Sequence, residues 1–492
     1  FDDRVIIVDE IHNMRMISDK TLGKKVPKKF NEILKKINNN VLVLLSATPM
    51  FNNHEEIRFI LNTLLINNKE KEIDKNIKIF NDENNLNEDF KKRLIKTTNK
   101  FISYMRGENP YTFPIRIYPS INKDKNVLET KNYPSKDLNN NDIPKEEQIK
   151  YLELIHTKMS KLQNKIYDTI QGDEDDDDNN SDKVDLQQRV QVSNIIFPSD
   201  AILKDTSKEE LVDNFDIKNC YGNDGLKKVF NIGSEDNGKM KITYKKNVLE
   251  KYGQILNKDN ISNYSPKIKL LTDYIEKSEG IVLVYSKYIY SGIIPIALAL
   301  EHLGYNKYGN NNILNKPKDS SKGFKGSKGS KGNYIVISGN KKLSPNIPKE
   351  VSISNNQDNK DGNNIKVIII SESGTEGLDF RNIRQVHIIE PWYNVNRLEQ
   401  IIGRAVRNYS HYDLPEAKRN TTIYQYVNLS DNKDVESIDF RMYRISENKQ
   451  NNISKIEKIM KENSIDCNLN EEILSFKNIN KKILTSDKSV SG

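Results

Sequence analysis

Val5-Ile6-Ile7-Val8 and Val41-Leu42-Val43-Leu44-Leu45 are unbroken apolar runs of strand length, and each is followed at once by polar residues. A strand with no polar alternation is made to be covered on both faces, the condition of a parallel sheet whose crossover helices lie above and below it. Between the two runs, about Lys24 to Ile37 sets apolar residues at helical spacing among lysines, as a crossover helix would. Glu55 to Leu65 gives a second helix, with Ile57, Ile60, Leu61, Leu64 and Leu65 on one face. The same grammar restarts near Pro266. There the pattern predicts helices over Lys267–Glu276 and Ile289–Leu303, with a buried strand over Gly280–Tyr285. Further strands are expected at Tyr334–Ile337, Lys366–Ile370 and Val386–Ile389, then a long amphipathic helix over Asp439–Asn463. The expected class is α/β, with two parallel-sheet domains.

The domains are placed at 1–117 and 265–430, with an intervening region at 118–264 and a helical C-terminal extension at 431–492. In the intervening region Glu146–Lys165 reads as an amphipathic helix and Asp173–Asp178 as an acidic disordered loop. The rest of that region has no assignable fold. A Gly/Lys/Ser insert at 315–333, with Ser320–Gly332 at its centre, interrupts the second domain and is flexible by composition.

Cys220 and Cys467 are the two cysteines, too few for a disulfide framework or a zinc site. No segment has the length of an apolar membrane-spanning helix and no signal peptide is visible, so a soluble protein with no membrane partner is expected. A net charge of +8, from 77 basic and 69 acidic residues, suits contact with nucleic-acid phosphates without demanding it.

Four motifs stand at strand ends, where ligands bind in open α/β sheets. Asp9-Glu10-Ile11-His12 follows the first run. Asp9 is assigned to the magnesium of a bound nucleotide and Glu10 to the attacking water; the alternative is an exposed acidic turn. Ser46-Ala47-Thr48 can hydrogen-bond the acidic motif, or simply cap the next helix. In Ser373-Gly374-Thr375-Glu376-Gly377-Leu378-Asp379, two glycines let backbone approach phosphate, unless this is only a tight turn. Gln400, Arg404 and Arg407, spaced four and three apart, would share one face of a helix and bind an anion there. Gly374, Gly377, Asp379 and Gln400 are the cofactor-binding candidates of the second block, and Arg404 and Arg407 its catalytic ones. Ser46, Thr48, Ser286 and Thr375 are candidates for nucleic-acid contact or coupling. A nucleotide held between two such blocks would draw them together, and its hydrolysis would release them.

DEIH, SATP, SGTEGLD and QIIGRAVR resemble motifs II, III, V and VI of superfamily 2 helicases. The resemblance implies two RecA-like domains, the first N-terminally truncated, using ATP and magnesium on a DNA or RNA track. It also implies that His12 couples the nucleotide site to the neighbouring motif and that Arg407, helped by Arg404, is the arginine finger. The segment from Tyr104 to Pro114 (YMRGENPYTFP), Pro391-Trp392-Tyr393-Asn394 and the region from Asp439 to Cys467 are similar to the nucleoside triphosphatase and early-transcription-factor helicases of large DNA viruses. Poxviruses, asfarviruses and giant amoebal viruses carry such proteins. That likeness implies a role in viral transcription, viral RNA polymerase or transcription factors as partners, and a place in the virion or cytoplasmic viral factory. Trp392 and Tyr393 read as core residues or as stacking surfaces.

The sequence departs from the pattern in one respect. No GxxxxGK[ST] phosphate loop occurs among the 492 residues; Gly23-Lys24 and Gly238-Lys239 lack the rest of it and follow Asp9. A partial sequence, a split gene and a degenerate, hydrolysis-deficient scaffold docking transcription machinery are the three explanations.

Overall fold

The computed structural model describes residues 2–14, 25–81, 83–104, 111–170, 180–200, 216–234, 238–309, 311–315, 331–372 and 377–470. The expected acidic loop, nearly all of the Gly/Lys/Ser insert, Ser373–Glu376 and the tail beyond Asn470 lie outside them. The chain divides into two compact units: residues 1–108, 394–396 and 446–492 form the first, and 109–393 and 397–445 the second. This division puts Ile115–Ile117 and the intervening region with the second unit.

In the first unit β1 (Val5–Val8) and β2 (Val41–Leu44) pair in parallel, Val5 opposite Val41 through Val8 opposite Leu44. The helix Lys25–Lys36 connects them as the periodicity predicts. Ile6 and Leu42 pack against Leu34, Ile37 and Ile66, while Val8 and Leu44 pack against a larger core. That core is built on the helices Glu56–Asn67 and Glu88–Phe101. Asn87 caps the second of these, its side chain accepting the N–H groups of Asp89 and Phe90. The opposite face departs from the expectation of cover on both sides. Val5 and Ile7 are 64% and 65% exposed, and Val41 58%.

The second unit holds β3 (Ile115–Ile117), β4 (Ile155–Lys158), β5 (Phe230–Ser234), β6 (Met240–Tyr244), β7 (Ile281–Tyr285), β8 (Asn306–Lys307), β9 (Asn333–Ile337), β10 (Val367–Ile370), β11 (Ile383–Ile388) and β12 (Asn420–Leu429). Its main sheet is parallel throughout, in the order β3-β12-β11-β7-β10-β9-β8, with β4 also on β12. The α/β class expected from the sequence is thus present. Burial alternates with period two: Val282, Val284, Val367 and Ile369 enter the core on one face, and Leu283, Tyr285, Ile368 and Ile370 the core on the other. Each such side chain removed wholly from water contributes about 1.5–3 kcal/mol.

Two expectations are corrected here. Glu146–Lys165 is no continuous helix: Ile155–Lys158 is a strand on β12, and the helix Lys161–Tyr167 begins after it with a Ser160–Gln163 capping box. Pairing with a partner some 270 residues away decides the conformation there, and local periodicity does not. The intervening region is also part of the second core. Ile166, Val192, Ile195, Phe197, Leu226 and Phe230 pack in one cluster with Val282, Ile296 and Leu300.

Candidate functional site

The acidic motif begins where the β1–β2 ladder runs out. Leu45 N–H donates to Val8 O at 2.9 Å and Ile11 N–H to Leu45 O at 3.0 Å, so the chain leaving β1 is pinned to the chain leaving β2. Between these bonds Glu10 takes a left-handed backbone, φ 52°, and its N–H donates to Asp9 Oδ1 at 3.0 Å. A non-glycine residue held there stores about 1–3 kcal/mol and persists only when its surroundings fix it, a habit of functional turns. Ile11 is buried beneath the turn, while Asp9 and Glu10 are exposed.

His12 is buried behind the carboxylates, its ring stacked on Phe51 at 5.5 Å and 6°. Its Nδ1 lies 2.9 Å from Ser46 Oγ and 3.2 Å from Glu10 Oε2. A proton on Nδ1 would therefore bridge the acidic motif to the Ser46 motif. Ser46 Oγ also accepts the Thr48 N–H at 3.1 Å. Among the described residues, Thr48 Oγ1 is buried without a hydrogen-bond partner. Asn396 Nδ2 donates to Met50 O at 2.6 Å and Phe51 O at 2.9 Å, fixing the turn that follows.

In the second unit the loop after β10 meets the arginine motif. Gly377 has φ 71°, a backbone that favours glycine. Arg404 Nη1 donates to Leu378 O at 3.1 Å and lies 3.6 Å from Asp379 Oδ1, which Arg407 also pairs. The expected shared helical face of Gln400, Arg404 and Arg407 is corrected. The helix Val395–Ile402 stops before Arg404, and Arg404 and Ala405 N–H groups donate to Ile401 O and Ile402 O in tight turns. Gln400 instead accepts from Arg397 Nη1 at 3.4 Å. The two guanidiniums are gathered by Asp379, not by helical spacing.

Ser286 is fully buried at the end of β7, its hydroxyl donating to Glu390 Oε1 at 2.9 Å. A Cβ on Gly292 would come within 1.9 Å of that hydroxyl, so glycine alone fits there. Glu390, two residues beyond β11, also accepts the Lys287 and Tyr288 N–H groups and Asn194 Nδ2. Burial pushes its pKa up, against the opposing pull of Lys267 and these donors. Lys267 in turn donates to Asn194 Oδ1 and makes a 2.6 Å ion pair with Asp439, both side chains wholly buried. This network is absent from the sequence reading. The signal that could have found it is Glu390 itself, a carboxylate closing an apolar strand as Asp9 closes β1.

Arg397 is a second omission. It pairs with Glu372 at 3.2 Å, the last described residue before the glycine loop, and its guanidinium lies 5.2 Å over Trp392. Lys287 lies 4.7 Å over the same ring, whose Nε1 donates to Tyr285 OH at 2.8 Å. Trp392 therefore packs against cations of its own unit. Ser373, Gly374, Thr375 and Glu376 lie outside the described residues.

Residues 334–409 match the family model of the helicase conserved C-terminal domain, which contains the glycine loop and the arginine motif. A putative ATP-dependent RNA helicase of Acanthamoeba polyphaga mimivirus is 29% identical over 97% of this chain and 68% of the relative. A putative helicase of invertebrate iridescent virus 3 is 25% identical over 96% of this chain and 40% of the relative. A termination factor NPH-I homolog of African swine fever virus is 29% identical over 43% of this chain and 34% of the relative. The chain is similar to superfamily 2 helicases of large DNA viruses, and spans less than half the length of two of these three.

Proposed function

We propose that this chain carries motor motifs of an ATP-dependent helicase or translocase acting in viral transcription. The supporting observation is that each unit sets a carboxylate motif beyond the C-terminal end of a parallel strand: Asp9 and Glu10 after β1, and Asp379, which pairs with Arg404 and Arg407, after β10. The naming of viral relatives as helicases and as a termination factor homolog supports the same reading.

Magnesium on a nucleotide takes one or two protein carboxylates and fills its remaining positions from phosphates and water. The single exposed Asp9 suits that demand, and among the described residues no cluster of three ligating side chains offers an all-protein cage. When bound, the magnesium nucleotide supplies the phosphoryl group to be transferred. Glu10, held beside Asp9 by its strained backbone, orients the attacking water. Arg404 and Arg407 stabilise charge developing on the transferred group. His12, joined to Ser46, links the acidic turn to the turn after β2. The lysine of a GxxxxGK[ST] loop is not among these residues, so hydrolysis requires a polypeptide segment that carries it.

Glu10→Gln in enzyme completed with such a segment should lower turnover by about 10²–10⁴-fold and leave ATP affinity unchanged. Unchanged turnover removes the assigned role of Glu10. Loss of hydrolysis in every completed form, with retained docking of transcription proteins, would support the scaffold instead.

A further inference from the structure

The segment Tyr111-Thr112-Phe113-Pro114 and the residues just after the arginine motif line an open cleft within the second unit. Two backbone hydrogen bonds hold its walls together. Tyr409 N–H donates to Thr112 O at 2.7 Å, and Ile115 N–H to Arg419 O at 2.9 Å. Tyr409 is kept in a left-handed backbone, φ 57°, while Ser410 below it is buried and bonded to Ala405 O and to the His411 ring.

Three tyrosines line this rigid frame and are left largely in water: Tyr111 at 88%, Tyr409 at 57% and Tyr412 at 66% exposure. Tyr409 and Tyr412 meet edge to face, centroids 6.2 Å apart and planes at 77°. Arg419 is fixed alongside, Nε donating to Leu414 O at 3.0 Å and the guanidinium 5.4 Å over the Tyr412 ring. Large aromatics gathered at one place on a surface, on backbone that does not need them for its core, mark a binding site.

We propose that this cleft takes an unstacked nucleobase of a single nucleic-acid strand, stacked on Tyr412 or Tyr111 with Arg419 beside its phosphate. This proposal rests on the nucleic-acid reading above. An aromatic face with a neighbouring guanidinium is the combination that binds single strands without regard to sequence, the ring meeting the base and the cation the backbone. A proline-rich peptide also docks on aromatic-lined grooves, but it brings no phosphate to Arg419, whose guanidinium keeps N–H groups beyond those given to Leu414 O and Tyr412 O, with Glu416 also on the cleft wall. The cleft lies two and five residues beyond Arg407 along the chain. A strand held there would bear on the arginine motif through the turn that carries both.

The test uses the full chain without nucleotide. Fluorescence anisotropy reads the affinity for oligothymidylate, oligouridylate and an abasic strand of equal length. Tyr412→Ala and Tyr111→Ala should each weaken binding of the base-bearing strands about tenfold, while Tyr412→Phe holds the affinity and the abasic strand is indifferent to all three. Both tyrosines are largely exposed, so their truncation opens no core. A loss with both oligonucleotides, or with one sugar only, supports stacking, and the second result assigns the track. Salt-dependent binding that ignores the tyrosines overturns this proposal and leaves the motor reading standing. No binding of any strand by the unaltered chain overturns both. A proline-rich peptide whose binding the alanine variants abolish, with oligonucleotides unaffected, assigns the cleft to protein and also overturns it.

Discussion

In β7 every residue from Ile281 to Tyr285 is withdrawn from water, with neighbours entering cores on opposite faces of the sheet. In β1, an equally apolar run, Ile6 and Val8 are packed while Val5 and Ile7 face outward. Both strands are parallel-paired and both end in a motif built on a polar side chain. The contrast lies in their neighbours: β7 stands between β10 and β11, and among the described residues β1 pairs with β2. An unbroken apolar run therefore states the cover a strand is built for, and its neighbours decide how much of it is delivered. The second unit's motifs accordingly sit on a sealed sheet, and the first unit's, among the described residues, on a sheet sealed on one face.

The largest effects should come from the ionic motifs, where the two units are equals. Arg407→Ala in the completed enzyme should cost about 10³–10⁵-fold in hydrolysis, comparable to Glu10→Gln, as steady-state phosphate release would show. A loss confined to one of the two would break the equivalence. Next in size are changes to the interior of the second unit. Lys267→Met leaves Asp439 buried and unpaired, and should lower the stability of that unit by about 3–5 kcal/mol in denaturant titration. Leu283→Ala should cost about 2–5 kcal/mol there. Values under about 0.5 kcal/mol, the usual surface range, would mean the second unit is no better sealed than the first.

The reading of strands and their end motifs was available in the sequence because parallel strands are written as continuous apolar runs and helices as spaced ones. What was not available depends on distant partners. Ile155–Lys158 reads as part of a helix until β12 is present to pair with it. The arginines read as one helical face until Asp379 draws them to the turns after Ile402. Glu390 and Lys267 are not singled out by the sequence, since nothing local shows that Asn194, Ser286 and Asp439 converge on them. The link from His12 to the neighbouring motif was implied only by the resemblance to superfamily 2 helicases; in the structure His12 Nδ1 lies 2.9 Å from Ser46 Oγ.

Acid should weaken the second unit by a smaller margin. His387 is sealed between Tyr424 and Tyr426, and burial lowers its pKa to about 3; His411 is lowered likewise, to about 4. Unfolded chain binds protons at these positions near pH 6.5, so the folded state binds fewer as pH falls. The stability conferred by neutral histidines is whole above that pH and declines from about 6.5 toward 4 and below. His387→Gln should flatten the decline, read from denaturation midpoints across that range; an unchanged slope would place the acid sensitivity elsewhere. The smallest effect is expected on the open face of β1. Ile7→Thr should change stability by no more than about 0.5 kcal/mol, and should lower binding of a dye that reports exposed apolar surface. A cost of several kcal/mol would show that face to be covered, and would erase the contrast between the two sheets.

The central claim is that the two motif sets drive one ATP-powered motor on nucleic acid. It is tested most directly by ATP hydrolysis in the completed enzyme, measured with and without a single-stranded oligonucleotide. The account predicts hydrolysis that rises on adding the strand and disappears in both Glu10→Gln and Arg407→Ala. Hydrolysis indifferent to the strand, or surviving either substitution, would contradict it.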